Sequence, residues 1–168
     1  MKGPRMARRV YFAFHYQNDI SRVNVVRKSG VIQGSDQAGF YDASLWEKAQ
    51  RTSDDAIKRM INEGLKGTTV TAFLLGAETA GRPWVKYELE RSVSVGNGLL
   101  AIYIDQIKDL RGYTSYRGPN ILEQWHVPDS RGGRVWLSQL YRTHDWIGDD
   151  GYAHFGQWVE QAATIAGR

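Results

Sequence analysis

Glu88 is the acidic residue whose position in the sequence best suits chemistry. The apolar residues Val85, Leu89 and Val93 recur every four positions around it, as on the buried face of a helix. At about 100° per residue, Glu88 falls at the edge of that face, roughly one turn after the preceding loop. A carboxylate there is half desolvated and close to the carboxyl ends of the strands, where open α/β sheets bind their ligands. An ordinary helix-start acid is the alternative, although the helix dipole contributes little in the second turn.

The residues before Glu88 predict a strand, a loop and the start of this helix. Val70 to Leu75 is an apolar run without alternation, which is typical of a parallel strand covered on both faces. Gly76 to Gly81 form the loop, and Pro83 opens the helix at a position where its missing N–H would have had no partner. This unit is the expected centre of the fold.

A first β–α unit precedes this centre. Arg9 to His15 is rich in aromatic and β-branched residues and predicts a strand. Asn18 or Asp19 is then expected to cap a helix that ends at Ser29-Gly30. Polar residues just past a strand can equally contact a ligand, and His15 is the one histidine placed where a site is expected.

The second β–α unit carries two more candidate polar residues. A short strand is expected around Phe40, followed by a flexible loop, and a helix is predicted between Ser53 and Gly67. Asp42 and Ser44 lie at the carboxyl end of the short strand, so they face the same crevice as Glu88 if the sheet is parallel. Ordinary loop chemistry explains both residues and remains the simpler interpretation.

The rest of the chain completes an α/β pattern. Gly98 to Ile104 is a further apolar strand, Val135 to Trp146 contains the last one, and Gln106 to Gly133 is irregular, as in a functional insertion or a covering loop. A final helix has an apolar face made of Phe155, Trp158, Val159, Ala162 and Ile165. Four or five strands alternating with four helices predict a doubly wound α/β sandwich around a mostly parallel sheet.

Several familiar kinds of site are excluded because the sequence lacks their motifs. The turn after the first strand reads HYQND, which excludes the glycine fingerprint of dinucleotide binding. The loop from Gly76 to Gly81 lacks the Gly-Lys-Ser/Thr ending of a Walker loop, which excludes that kind of phosphate site. No aspartate closes the central strand, as a receiver domain would require, and no G-x-S-x-G elbow of a serine hydrolase is present. What remains is a carboxylate in a crevice. It suits departure of a leaving group from a sugar carbon, because a fixed carboxylate stabilises an oxocarbenium-like transition state.

No metal site is expected from this sequence. It contains no cysteine, and none of its histidines forms an i, i+4 pair. The four histidines are His15, His126, His144 and His154.

Composition and charge limit the remaining possibilities. The length of 168 residues suits one domain, and the net charge of +4 equals the contribution of Lys2, Arg5, Arg8 and Arg9 alone. We therefore expect a basic tail over residues 1–8 and a single domain over residues 9–168, with no dedicated nucleic-acid surface. No apolar run approaches the roughly 18 residues that cross a bilayer, so no membrane association is expected and the cytoplasm is the expected location.

Several strings of the sequence carry a resemblance to a known family. Together they resemble the TIR-like domain of the Thoeris B antiphage defence proteins. The strings are VYFAFHYQND, FYDAS, TTVTAFLLGAETAGRPWVKYELERS, GLLAIYID and HDWIGDDGY with WVEQAA. The resemblance covers Arg9 to Ala166 and is most specific in the Trp-x-x-x-Glu pattern from Trp84 to Glu88, which matches the TIR motif carrying the catalytic glutamate. By that match, Glu88 is the expected catalytic residue.

The resemblance implies a fold and a reaction. The fold is flavodoxin-like, and NAD is a substrate, with no cofactor: nicotinamide leaves, and the ADP-ribosyl group forms a cyclic or conjugated ADP-ribose. This signal activates a separate effector protein, and a homo-oligomer and a phage-derived trigger are further expected partners. The substrate-contacting residues that the resemblance implies are Phe14, His15, Asp42, Ser44, Trp46 and Trp84.

Two other functions remain open at this point. A nucleoside deoxyribosyltransferase-like enzyme uses a similar crevice and a glutamate as its nucleophile. A TIR-type interaction module assembles partners without turning over a substrate, and Glu88 would then be a structural residue.

Overall fold

The computed structural model describes residues 8–41 and 43–168, and its centre is a five-stranded parallel sheet. The strand order is β2-β1-β3-β4-β7, and β5 and β6 pair as a separate antiparallel hairpin. The strands are β1 (Val10–Phe14), β2 (Gln37–Ala38), β3 (Val70–Leu75), β4 (Gly98–Tyr103), β5 (His126–Pro128), β6 (Arg134–Trp136) and β7 (Thr143–Asp145).

Helices connect and cover the strands of the main sheet. Short 3₁₀ turns lie at Gly34–Asp36, Thr79–Gly81 and Ile121–Glu123. The α-helices are α1 (Tyr16–Arg27), α2 (Ala43–Thr52), α3 (Asp54–Leu65), α4 (Pro83–Ser94), α5 (Leu137–Leu140) and α6 (Gly151–Ile165).

The two faces of the sheet pack against different helices. On one face, the ring of Phe12 lies 6.0 Å from that of Phe155 in α6. On the other face, the hydroxyls of Thr71 in β3 and Ser92 in α4 are 2.7 Å apart and fully buried. The register pairs Thr71 with Tyr11 of β1, so the Tyr11 side chain points toward the α4 face as well.

Two predictions about individual elements are wrong, and the predicted location of the last strand is confirmed. The short strand lies at Gln37–Ala38, before Phe40, and the expected flexible loop after it is largely α2. The last strand of the main sheet, Thr143–Asp145, lies within the predicted segment Val135 to Trp146, where β6 and α5 precede it. Ile165 does not belong to the buried face of α6, since 52% of it is exposed.

The irregular segment after β4 is held by two arginines, one from α1 and one of its own. Arg22 of α1 donates to the backbone oxygens of Ile107 at 2.8 Å and Tyr113 at 2.9 Å. Arg117 forms ion pairs with Asp105 and Asp145 at the ends of β4 and β7. These contacts fix the segment over the carboxyl ends of the strands.

The strand order identifies the fold class. Counting only the main sheet, the order is 2-1-3-4-5 with all neighbours parallel, which is the flavodoxin-like arrangement predicted from the sequence. In such sheets the crevice that receives ligands lies at the carboxyl ends of β1 and β3, where the direction of winding reverses. No helix of the described residues is long and apolar enough to cross a membrane.

Candidate active site

Glu88 lies in a small cavity at the carboxyl end of β1. Its side chain is almost completely buried, with 6% exposed, although the sequence indicated a half-desolvated position. The cavity has a volume of about 20 Å³, room for a single water molecule. Its lining consists of Phe12, Phe14, Tyr16, Gly39, Tyr41, Trp46 and Glu88.

The surroundings of Glu88 favour its neutral form. Burial raises the pKa of the Glu88 carboxyl to about 8, and hydrogen bonding with the Tyr11 hydroxyl partly opposes this rise. No charged side chain among the described residues contributes to the shift. In this closed structure the carboxyl is therefore mostly protonated at neutral pH.

A pair of tyrosine hydroxyls adjoins the carboxyl. The hydroxyls of Tyr11 and Tyr41 are 3.0 Å apart, and the Tyr41 hydroxyl also donates to the backbone oxygen of Met60 in α3 at 3.1 Å. Gly64 makes room for this arrangement, because a Cβ atom there would lie 2.5 Å from the Tyr41 hydroxyl. The pair thus connects Glu88 to the backbone of α3.

Aromatic residues cover the cavity. The ring of Trp46 stacks on that of Tyr41 at 5.8 Å, and the Tyr16 hydroxyl donates to the backbone oxygen of Tyr41 at 3.1 Å. We call Tyr41 and Trp46 the aromatic cover. Gly39 allows the chain to approach β1 closely, because its φ is +89° and a Cβ atom there would lie 2.3 Å from the backbone oxygen of Phe12.

The structure brings together three of the residues singled out in the sequence. Phe14, Trp46 and Glu88 all line the cavity, although they come from β1, α2 and α4. Trp84 is half-buried against Tyr87, with ring centroids 5.8 Å apart, and does not line the cavity.

Neither polar residue predicted after the short strand is found in the cavity lining among the described residues. Ser44 lies in the first turn of α2, is exposed and does not line the cavity. Asp42 falls outside the described residues.

His15 acts as the cap of α1 in this structure. The helix begins at Tyr16, and the imidazole Nδ1 of His15 accepts a hydrogen bond from the backbone N–H of Asn18 at 3.3 Å. The prediction that Asn18 or Asp19 caps this helix is therefore wrong. Burial, together with the nearby Arg82, lowers the pKa of His15, so the imidazole is neutral and suits an accepting role.

Asp19 links the ends of β1 and β3 across the switch point. Its buried carboxylate accepts a long hydrogen bond from the Thr79 hydroxyl at 3.4 Å, and that hydroxyl accepts one from the backbone N–H of Gly76 at 2.8 Å. Arg22 lies 3.8 Å from the same carboxylate. These contacts hold in place the loop that leads into α4 and therefore help position Glu88.

Larger depressions lie elsewhere, and two of them are wide. A polar cavity of about 660 Å³ lies between α1 and the segment after β4, and its lining includes Asn18, Asp19, Glu78, Asp109 and Tyr116. A groove of about 920 Å³ runs between α5 and α6 beside the first half of β4. Within residues 8–41 and 43–168, no cluster of three or more acidic or histidine side chains is arranged to hold a metal ion.

Sequence reasoning did not identify Tyr11 and Tyr41 as part of the site. Tyr11 lies inside an apolar strand and reads as a core residue, while Tyr41 lies in what reads as a loop. The strand register supplies the missing information: Tyr11 is the neighbour of Thr71, which contacts Ser92 one helical turn after Glu88.

Comparison with known proteins matches the segment that builds this cavity. The family model described as the TIR-like domain of Thoeris protein ThsB matches residues 11–109, a span that includes most of β1, the aromatic cover and Glu88. A protein of Bacillus cereus (strain MSX-D12), named "Putative cyclic ADP-D-ribose synthase ThsB1", is 40% identical over 191 residues, which cover 92% of this chain and 100% of the relative. The chain therefore belongs to the Thoeris ThsB family of TIR-like proteins.

Proposed function

We propose that this protein is an NAD-processing enzyme that cleaves the bond between nicotinamide and ribose, with Glu88 as its catalytic residue. The observation that carries the proposal is the carboxyl of Glu88, buried among aromatic rings at the carboxyl end of β1. The family relationship supports it, because the related Bacillus cereus protein is named as a cyclic ADP-D-ribose synthase.

The reaction needs a negative charge at a developing cation. When nicotinamide leaves, the electrons of the glycosidic bond move to the pyridinium nitrogen, and positive charge develops on the ribose ring. An ionised carboxylate beside the ribose stabilises that charge, and a site with little water makes the stabilisation stronger. The buried Glu88 carboxyl, once ionised, would supply such a charge in a site with little water.

Substrate binding requires the aromatic cover to move. A cavity of about 20 Å³ cannot hold a nicotinamide ring, so the side chains of Tyr41 and Trp46 must separate from Phe14 and Tyr16 before NAD reaches Glu88. The displaced rings then offer flat surfaces on which nicotinamide can stack. We propose that Phe14, Trp46 and Tyr41 contact the substrate in the open form.

The residues outside the cavity have less direct parts in this proposal. Opening of the cover displaces the start of α2, where Ser44 is located, and Asp42 precedes it in the chain. These two residues and Trp84 are proposed substrate contacts on the strength of the family pattern. The role of His15 is structural in this proposal: it caps α1 directly after β1.

We further propose that the ADP-ribosyl group is captured within the same molecule. Attack by an adenine nitrogen on the ribose carbon gives cyclic ADP-ribose, whereas attack by water gives linear ADP-ribose. The cyclic product is the one in the relative's name. In a Thoeris-type system this product would act as a diffusible signal to an effector protein, with phage infection as the trigger and assembly of several copies as a possible requirement.

The test is NAD turnover by the wild-type protein and the Glu88→Gln variant. Lysates of expressing cells, with and without phage infection, are incubated with NAD, and nicotinamide and ADP-ribose species are separated by chromatography with mass detection. Glu88→Gln keeps the shape but removes the charge, and it should lower nicotinamide release by roughly 10²–10³-fold. Glu90→Gln, an exposed neighbour on the same helix, is the matched control.

The alternatives give different results in the same experiment. Equal nicotinamide release by the wild type and Glu88→Gln would contradict the catalytic role of Glu88. No release by either protein, under an infection that provokes defence, would favour the interaction module. Transfer of deoxyribose between bases, with NAD untouched, would favour the nucleoside deoxyribosyltransferase-like enzyme.

A further inference from the structure

The polar cavity between α1 and the segment after β4 opens where this fold receives ligands. Its lining comes from the start of α1, the loop after β3 and the segment after β4, and includes Asn18, Asp19, Glu78, Asp109 and Tyr116. These elements follow β1, β3 and β4, so the cavity lies over the carboxyl ends of the strands at the switch point. Its volume of about 660 Å³ is in the range that small-molecule ligands occupy.

Two carboxylates in the lining each keep an oxygen without a hydrogen bond among the described residues. Asp19 is only 3% exposed, and its Oδ1 lies 3.8 Å from Nη1 of Arg22, too far for a hydrogen bond. Oδ2 of Asp109 lies at the same distance from Nη2 of Arg22, while its Oδ1 accepts from two backbone N–H groups. Carboxylates normally accept short, charge-assisted hydrogen bonds. This pair therefore suits a ligand that brings hydrogen-bond donors.

The charge of the lining is unfavourable for an anionic group. Asp19, Glu78 and Asp109 contribute three carboxylates, and Arg22 contributes the guanidinium. Nε and Nη2 of Arg22 already donate to backbone oxygens of the segment after β4. A phosphate inside the cavity would meet an excess of negative charge. The part of a ligand that enters must be uncharged and rich in donors.

The adenosine end of NAD has these properties. Its ribose carries two adjacent hydroxyl donors, its adenine carries an amino group, and none of them is charged at neutral pH. A carboxylate that accepts from a ribose hydroxyl is a common feature of dinucleotide sites. Tyr116 is part of the lining, is 83% exposed and offers a ring on which the base can stack.

The polar cavity adjoins the cavity around Glu88. Phe14 at the end of β1 lines the Glu88 cavity, and Asn18 in the first turn of α1 lines the polar cavity. The Asn18 side chain donates to Oε2 of Glu78 at 2.8 Å, and the same oxygen lies 4.0 Å from Nε2 of His15. The two cavities are thus separated by about one helical turn at the end of β1. An extended dinucleotide can reach both.

We propose that the polar cavity binds the adenosine end of the substrate, and that its carboxylates make the site specific for NAD over NADP. The ribose hydroxyls donate to Asp19 and Asp109, whereas the 2′-phosphate of NADP is repelled by the acidic lining. The polar cavity is already open while the Glu88 cavity is closed. The adenosine end therefore docks first, and nicotinamide enters when the aromatic cover moves. The identity of this ligand rests on the proposed function.

The test is binding without turnover. The probes are adenosine 5′-monophosphate and adenosine 2′,5′-bisphosphate, which are the adenosine ends of NAD and NADP. Each is titrated into nitrogen-15 labelled full-length protein, and the Kd is read from the backbone amide shifts. The monophosphate should shift amides of the lining, such as those of Ala77 and Ser115. The bisphosphate should bind at least about tenfold more weakly, because like charges repel.

A filled cavity should lose the probe. Thr114 is exposed and lines the cavity, so Thr114→Trp places an indole there without changing the core. The affinity for the monophosphate should fall by roughly tenfold or more, because the indole takes the space of the ligand. Leu110→Trp is the matched control, since Leu110 is 95% exposed in the same segment and outside the lining. It should leave the affinity within about twofold of the wild type.

A reversed charge should change the specificity. Glu78 is exposed, and Glu78→Lys should bring the affinity for the bisphosphate up to that for the monophosphate or above it, a change of roughly tenfold in their ratio. Glu90→Lys makes the same change of net charge at an exposed position outside the lining, and it should leave the ratio in place.

The opposite results are equally clear. Absence of monophosphate binding at millimolar concentration, or equal affinity in the wild type and Thr114→Trp, would overturn the adenosine site. Equal affinity of the wild type for both probes, or the same response to Glu78→Lys and Glu90→Lys, would overturn the role of the carboxylates in specificity.

These results can be separated from those of the NAD experiment. Monophosphate binding that Thr114→Trp removes, in a protein that releases no nicotinamide, would retain the adenosine site and reject the enzyme. Nicotinamide release that depends on Glu88, with the same KM for NAD in the wild type and Thr114→Trp, would retain the enzyme and reject the adenosine site.

Discussion

The groove between α5 and α6 and the cavity around Glu88 differ in nearly every respect. The groove between α5 and α6 has a volume of about 920 Å³, and the cavity has about 20 Å³. Acidic Glu160 in the groove pairs with Arg8 at 3.0 Å, and its His144 stacks on Trp158 with centroids 4.1 Å apart. Glu88 has no charged partner among the described residues, and burial raises its pKa.

This difference shows that volume is a poor guide to chemistry in a resting structure. A wide groove is open to solvent, so its charged groups keep partners or water. A closed cavity with one unpaired carboxyl holds a group in an unfavourable environment, which is a common property of functional sites.

The closed cavity depends on the close approach of Gly39 to β1. Gly39→Ala places a Cβ atom 2.3 Å from the Phe12 backbone oxygen at a φ of +89°, so backbone must move. We expect a loss of roughly 2–4 kcal/mol in the free energy of unfolding, measured by denaturant titration. Gly34→Ala meets no atom within 4 Å and should change it by about 0.5 kcal/mol or less. Equal effects of the two substitutions would mean that the segment is not packed as described.

The buried carboxyl should make stability depend on pH. The folded pKa of Glu88, about 8, exceeds the ordinary value of 4.5, so the folded state binds more protons between these two values. Stability is therefore lost as pH rises through that window, and Glu88→Gln avoids the loss. At pH 9 we expect the variant to be more stable than the wild type by roughly 1–3 kcal/mol, with no gap at pH 4. Glu90→Gln should show no such gap, and a Glu88→Gln variant less stable at pH 9 would contradict the assignment.

Removal of the aromatic cover should expose the Glu88 cavity to water, as the groove between α5 and α6 is. Trp46→Ala takes away the ring that stacks on Tyr41 and admits water to the carboxyl. The pKa of Glu88 should then fall by roughly one pH unit toward its ordinary value, as read from its carbon-13 titration. Trp84→Ala, one turn before Glu88 and outside the cavity lining, is the control and should leave that pKa in place. The same fall in both variants would point to a general loosening of α4.

The central elements were predictable because their patterns are strong. Val70–Leu75 is a continuous apolar strand and Pro83 marks the start of α4, so the placement of Glu88 after the central strand followed directly. The helix α2 was missed because few of its residues are buried: Ala49 is buried and Trp46 half-buried, while most others are exposed. The glycine and polar residues just before α2 indicate a loop, and the loop interpretation extends into the helix.

The environment of Glu88 could not be derived from its own helix. Its burial depends on Tyr11 and Tyr41, which the strand register and the path after β2 bring to it from distant positions in the sequence. The cap of α1 was assigned incorrectly for a related reason. Histidine is outside the usual set of capping residues, and only the buried, neutral imidazole of His15 makes it a suitable acceptor.

A substitution in the groove between α5 and α6 should have the smallest effect on nicotinamide release. Ile165 lines it with half of its surface exposed, and Ile165→Ser should leave nicotinamide release within about twofold of the wild type, since the groove contributes nothing to the Glu88 cavity. The measurement is turnover together with mass in solution by light scattering. A tenfold loss of turnover with a smaller mass would mean that the groove is an assembly surface needed for activity. The two regions would then have different roles. Copies of the protein would associate through the wide groove, and the substrate would react in the cavity around Glu88.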